Sequence, residues 1–138
     1  MVDAGIFYGK DSLTVALAGH AGFAPKGLDI VCAGISALTI ALSEAVGSVV
    51  KPSDADEIML SFADGEFYLN IGGIKSFEAY KTIRSVFLMF QLGLSRIAES
   101  YPENITLDVF NRPLGDDDYN DTSEQTMIKE RKEESEWI

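Results

Sequence analysis

Read from the N-terminus, hydrophobic positions alternate between two rhythms, one of period two and one of about 3.6. "GIFY" and "SLTVALA" follow the first, which predicts strands over Gly5 to Tyr8 and Ser12 to Ala18, joined into a hairpin by the turn residues of "GKD". Gly19, Gly22, Pro25 and Gly27 then break any regular pattern, and a loop is predicted over Gly19 to Leu28. Asp29 ends it. An Asp before "IVCAGISALTIALSEAV" is a good N-cap, because its carboxylate accepts hydrogen bonds from the first backbone N–H groups; the helix it starts runs to about Val49. Beyond Pro52, "EIMLSFADGEFYLNI" alternates on both sides of Asp64-Gly65. A tight hairpin with a type I′ turn is predicted there, with Ile58, Leu60, Phe62, Phe67, Leu69 and Ile71 sharing one buried face.

Ser76 can cap a second helix, in which Tyr80, Ile83, Phe87, Phe90, Leu94, Ile97 and Tyr101 recur at spacings of three and four. That stripe is made to lie on a sheet. Phe77, Leu88, Met89 and Leu92 fall off it, so the middle of the helix is apolar nearly all round and a subunit interface is expected to cover the excess. Pro102 stops the helix, and "NITLDVF" (Asn104 to Phe110) is the last strand. The fold class is therefore α/β in the broad sense: an α+β two-layer sandwich, a small, mostly antiparallel sheet of hairpins packed against two helices. From Asn111 the sequence turns acidic and turn-rich, with few apolar anchors, so residues 111–138 are expected to form a mobile tail on a single domain of residues 1–110.

Composition narrows the function classes. A chain of 138 residues with 46% hydrophobic and 24% charged residues has material for one core. Its net charge is −11: residues 1–110 carry 7 basic and 13 acidic side chains, and residues 111–138 carry 4 and 9. Both parts repel phosphate, which argues against direct nucleic-acid or anionic-membrane partners and favours a basic polypeptide. A single cysteine makes no intramolecular disulfide, and the N-terminus lacks the charged and apolar regions of a secretory signal, so a cytoplasmic location is expected. "IVCAGISALTIALSEAVGSVV" approaches the length of a membrane span. Ser36, Thr39, Ser43, Glu44 and Ser48 interrupt it and no Lys/Arg cluster flanks it, so it reads as a core helix.

The only histidine, His20, and the only cysteine, Cys32, both fall within "GHAGFAPKGLDIVCAGIS". At the third position of the predicted helix, Cys32 meets unpaired N–H groups and the positive end of the macrodipole, which favour a thiolate. The same N–H groups suit the oxyanion of a tetrahedral intermediate. His20, at the end of a strand, would complete a Cys-His pair if that strand lies beside the helix start. A lone cysteine is also an ordinary core residue, and a lone histidine an ordinary turn residue, so the residues by themselves leave both interpretations open. Other chemistries fit worse. Gly22 and Gly27 have the spacing of a phosphate loop, but Leu28 and Asp29 stand where Lys and Ser/Thr belong. One Cys and one His do not make a zinc site.

"GHAG" followed by "GLDIVCAGIS" resembles the signature of the ribosomal-processing cysteine protease (Prp) family, matching it at Gly19, His20, Ala21, Gly27, Asp29, Ile30, Val31, Cys32, Ala33 and Ser36. The order of elements is similar to about Phe110, and "IAESYPENITLDVF" is similar to the family's last helix and strand. The resemblance implies a cysteine endopeptidase domain that removes the N-terminal extension of a large-subunit ribosomal protein, a basic substrate, and acts as a homodimer without a cofactor or a metal. It implies that His20 and Cys32 are the catalytic pair, that Asp29 and Ser36 support them, and that Gly19, Ala21, Gly22, Phe23 and Gly27 belong to a mobile substrate-binding loop. Asp29 would cap the helix, orient the histidine, or both, and capping weighs more because a free carboxylate beside the sulfur disfavours its anion. Gly34 stands where the family more often has Ala, and residues 111–138 extend past the family's usual end. A catalytically silent protein-binding member of the same fold, or a redox-active thiol protein, are the alternatives.

Overall fold

Two hairpins form where the alternation predicts them. In the computed structural model, which describes residues 1–111, β1 (Val2–Tyr8) and β2 (Leu13–Ala18) pair antiparallel with Tyr8 opposite Leu13, and the Gly9 N–H donates to the Ser12 carbonyl at 2.8 Å to close the turn. α1 (Ile30–Val49) follows the loop. β3 (Ala55–Ala63) and β4 (Glu66–Ile74) make the second hairpin, and α2 (Phe77–Ser100) returns the chain to β5 (Ile105–Asn111). The strands lie in the order β3-β4-β2-β1-β5, with β5 parallel to β1 and every other pair antiparallel. The chain is thus an α+β two-layer sandwich with a mixed, mostly antiparallel sheet. β1 starts earlier than its pattern predicts because the Val2 N–H donates to the Asn104 carbonyl at 2.9 Å, which enters it beside β5.

The period-two positions of the central strands and the helix stripes meet as predicted. Ile6, Leu13, Val15, Leu69 and Ile71 are sealed beneath Val31, Ile35, Leu42 and Val46 of α1 and Tyr80, Ile83, Phe87, Phe90 and Leu94 of α2. Burying one large side chain such as Phe87 contributes about 2–3 kcal/mol, so this layer carries the fold. Two phenols find partners at its edge: the Tyr8 hydroxyl donates to Gln91 Oε1 and the Tyr80 hydroxyl to the Gly9 carbonyl, each at 2.7 Å. Although α1 is long and apolar enough to cross a membrane, one of its faces, with Val31, Ile35, Leu42 and Val46, is buried in the core. It approaches α2 closely through Gly34 and Gly93.

Two expectations about the second hairpin need correction. Phe67, Leu69 and Ile71 of β4 are buried, but their register partners Phe62, Leu60 and Ile58 of β3 are 55%, 52% and 46% exposed. β3 is an edge strand, α2 touches β5, β2 and β4, and neither helix covers Ile58, Leu60 or Phe62. The turn is not type I′, which needs positive φ at both central residues: Gly65 has φ 72°, but no non-glycine residue among those described has positive φ. On α2, Phe77 and Leu88 are half-buried, whereas Met89 and Leu92 are exposed. The predicted tail, apart from Asn111, lies outside the described residues.

Candidate active site

The helix start that bears the cysteine is built by Asp29. Its Oδ1 accepts from the Cys32 N–H at 2.9 Å, as an N-cap does, while Oδ2 accepts from the Phe23 N–H at 3.0 Å and the Ala24 N–H at 3.2 Å. These backbone N–H groups, that of Cys32 foremost, hold the Asp29 carboxyl below its ordinary value. The carboxylate therefore caps α1 and pins the preceding loop at the same time. Neither oxygen is bonded to His20.

The loop brings its chain back onto the thiol. Ala21 is almost wholly buried, and its N–H donates to Cys32 Sγ at 3.5 Å, while its carbonyl accepts from Asn104 Nδ2 at 2.9 Å. Cys32 is half-buried and its thiol is free. The oxyanion role expected of the first-turn N–H groups needs revision, because two of them are taken: Cys32 N–H by the Asp29 side chain and Ala33 N–H by the Asp29 carbonyl at 3.0 Å. The backbone donor at the sulfur comes from the loop.

His20 is exposed and sits over the β3–β4 turn. The Gly19 N–H donates to the Gly65 carbonyl at 2.8 Å, and a β-carbon on Gly65 would lie only 2.7 Å from His20 Nε2. Gly65 is therefore required twice, for its positive φ and for the space the imidazole occupies. No hydrogen bond joins His20 to Cys32 among the described residues.

Both side chains nevertheless open onto one cavity of about 690 Å³, walled by Cys32, Ser36 and Thr39 of α1 on one side and by Phe62, Ala63 and Phe67 of the second hairpin on the other. Ser36 lines it one turn after Cys32, its backbone carbonyl accepting from Thr39 Oγ1 at 2.9 Å. Gly19, Gly22 and Gly27 line it as well. The other two residues assigned to a substrate-binding loop do not: Ala21 is core, and the Phe23 ring packs edge-on against Tyr101 with centroids 5.4 Å apart. Sequence reasoning missed Gly65 and Asn104. Asp64-Gly65 was visible only as a turn, and nothing local in "NITLDVF" tells that its first side chain reaches across the chain to Ala21.

A free thiol under a backbone N–H donor and one imidazole on the same cavity, beside the β3–β4 turn, suit attack on a peptide carbonyl. Among the described residues no three His, Cys, Asp or Glu side chains gather as a metal site.

Comparisons with known proteins point to one family. The family model described as "Cysteine protease Prp" matches residues 1–106. No curated protein matches the chain. Among solved structures, the essential ribosomal processing protease Prp from S. aureus with a covalently linked product peptide is similar at a TM-score of 0.66 and 24% identity, covering 79% of this chain and 99% of that one. SMU.848 from Streptococcus mutans is similar at a TM-score of 0.60 and 29% identity, with 81% and 96% covered. The S. aureus protease with a substrate peptide gives 0.60 and 23% identity, with 79% and 99% covered.

Proposed function

The chain belongs to the cysteine protease Prp family, and from that premise we propose that it removes the N-terminal extension of a ribosomal protein precursor, with Cys32 as nucleophile and His20 as general base and acid. The observation that carries this reading is that the only thiol and the only imidazole of the chain line one cavity, the thiol beneath the Ala21 N–H. In the first half-reaction His20 takes the Cys32 proton, Sγ bonds to the scissile carbonyl carbon, and the C–N bond breaks as the proton passes to the leaving amine. Water then cleaves the thioester: His20 removes its proton, hydroxide adds to the carbonyl, and the sulfur leaves and regains the proton.

A substrate of this class is basic, and the protein's net charge of −11 attracts it, with Asp64 and Glu66 on the cavity against the single Lys26. Such a substrate places the reaction in the cytosol. The exposed Met89 and Leu92 on α2 favour a second copy of the chain on that face.

The test is to incubate the protein with the extended ribosomal protein of its own organism and to read the new N-terminus by mass spectrometry. Cys32→Ala and His20→Ala, each alone, are expected to lower cleavage by about 10³-fold or more while leaving the fold intact. A Cys32→Ala variant that cleaves like the wild type would overturn the assignment of the nucleophile.

A further inference from the structure

The junction between α2 and β5 grips the loop that carries His20. Asn104 sits in this junction with its backbone fixed on both sides: its N–H donates to the Tyr101 carbonyl and its carbonyl accepts from Val2, each at 2.9 Å. Its side chain crosses to the loop and donates to the Ala21 carbonyl at 2.9 Å. Tyr101, at the same junction, holds the Phe23 ring.

We propose that Asn104 is a positioning residue for the cysteine chemistry, holding Ala21 so that its N–H stays on the Cys32 sulfur. The inference rests on Cys32 being the nucleophile. Ala21 has its N–H and its carbonyl bonded to side chains, Cys32 on one side and Asn104 on the other. The loop is anchored on both sides, at Gly19 by the Gly65 carbonyl and at Phe23 and Ala24 by Asp29, and between these anchors the Ala21 carbonyl is held by Asn104. The Asn104 amide adds a constraint on Ala21 itself, from a residue whose own backbone is bonded to β1 and to the end of α2. An N–H aimed at an anionic sulfur is a charge-assisted donor, and its direction matters as much as its presence.

Asn104→Asp keeps the shape and replaces the donor by an acceptor facing the carbonyl oxygen. Because the chain has one cysteine, iodoacetamide labelling reads Cys32 alone and needs no substrate. Folded Asn104→Asp is expected to label at pH 7 and to turn over substrate about tenfold more slowly than the wild type, with KM within about twofold, and Asn104→Gln, which keeps the amide on a longer arm, is expected to recover part of both losses. Should Asn104→Asp fail to fold, Asn104→Ser, too short to reach Ala21, carries the same expectation. Labelling and turnover unchanged in a folded variant, a fall in melting temperature alone, or failure of both Asp and Ser variants to fold would each overturn the positioning role. If Cys32→Ala retains cleavage, the nucleophile assignment fails instead, and the labelling comparison still reports what Asn104 does to the thiol.

Discussion

The two helices begin alike and do different things. Each is preceded by an extended residue whose side chain accepts from the third helical N–H: Asp29 from Cys32 at 2.9 Å, Ser76 from Ala79 at 3.1 Å. At α2 the hydroxyl serves its own helix, and Glu78 in the first turn complements the macrodipole. At α1 the first turn carries no acid, a thiol stands where α2 has Ala79, and the second carboxylate oxygen reaches back to Phe23 and Ala24. A cap that satisfies one helix is a matter of stability. A cap that also anchors a glycine-rich loop over the thiol proposed as nucleophile makes the geometry around that thiol depend on one side chain.

The largest effect that would test this contrast is expected from Asp29→Ala. It releases the start of α1 and the loop together, and displacements of the order of 1 Å at a reacting centre cost up to about 10²-fold, so turnover is expected to fall by about 10–100-fold in protein that is still folded. The same variant has a pH signature. The Asp29 carboxyl is held below its ordinary value, chiefly by the Cys32 N–H, so its contribution to stability is complete above the unfolded carboxylate range of about pH 4 and is lost as pH falls through the lowered folded value. The gap in melting temperature between wild type and Asp29→Ala is therefore expected to be level from about pH 5 to 7 and to close in acid. A gap that stays level into strong acid would show that the charge is not what ties the loop down.

Ser76→Ala is the smaller, opposite case. It removes one cap bond on an exposed helix start and is expected to cost about 1 kcal/mol in urea unfolding, with turnover unchanged. If it slows turnover as Asp29→Ala does, the two helix starts are not separable and the contrast fails.

Much of this was legible in the sequence, for reasons that also explain what was not. Asp29, Cys32 at the third helical position and the α2 stripe depend on local periodicity and capping, which act over a few residues. The burial of β3 was misjudged because alternation tells which residues share a face, not whether a helix lies over it; Ile58 and Ile71 are register partners, yet only Ile71 is covered. The turn type was misjudged because Asp-Gly fits more than one turn, and Asp64 keeps negative φ. His20 over Gly65, and Asn104 on Ala21, are contacts between distant parts of the chain that follow from the strand order and leave no local trace.

The smallest effect concerns Gly34, two residues after Cys32. Glycine inside a helix costs about 0.5–1 kcal/mol relative to alanine, chiefly through backbone entropy. At Gly34 nothing in the packing requires it: φ is not positive, and a β-carbon would meet Ile97 Cδ1 at 3.4 Å, ordinary contact with the end of a flexible side chain. At Gly93, on the facing helix, a β-carbon would come within 2.8 Å of Leu38 Cδ2 and 2.9 Å of Cδ1, so Leu38 would have to move. Gly34→Ala is therefore expected to gain about 0.5–1 kcal/mol in urea unfolding, and Gly93→Ala to gain less or to destabilise. Because Gly34 faces α2 and is not among the residues that line the cavity, turnover is expected to stay at the wild-type level. Should Gly34→Ala stabilise the protein and still slow cleavage, the start of α1 must flex during the reaction, and the rigid, Asp29-held geometry argued for it would describe only its resting state.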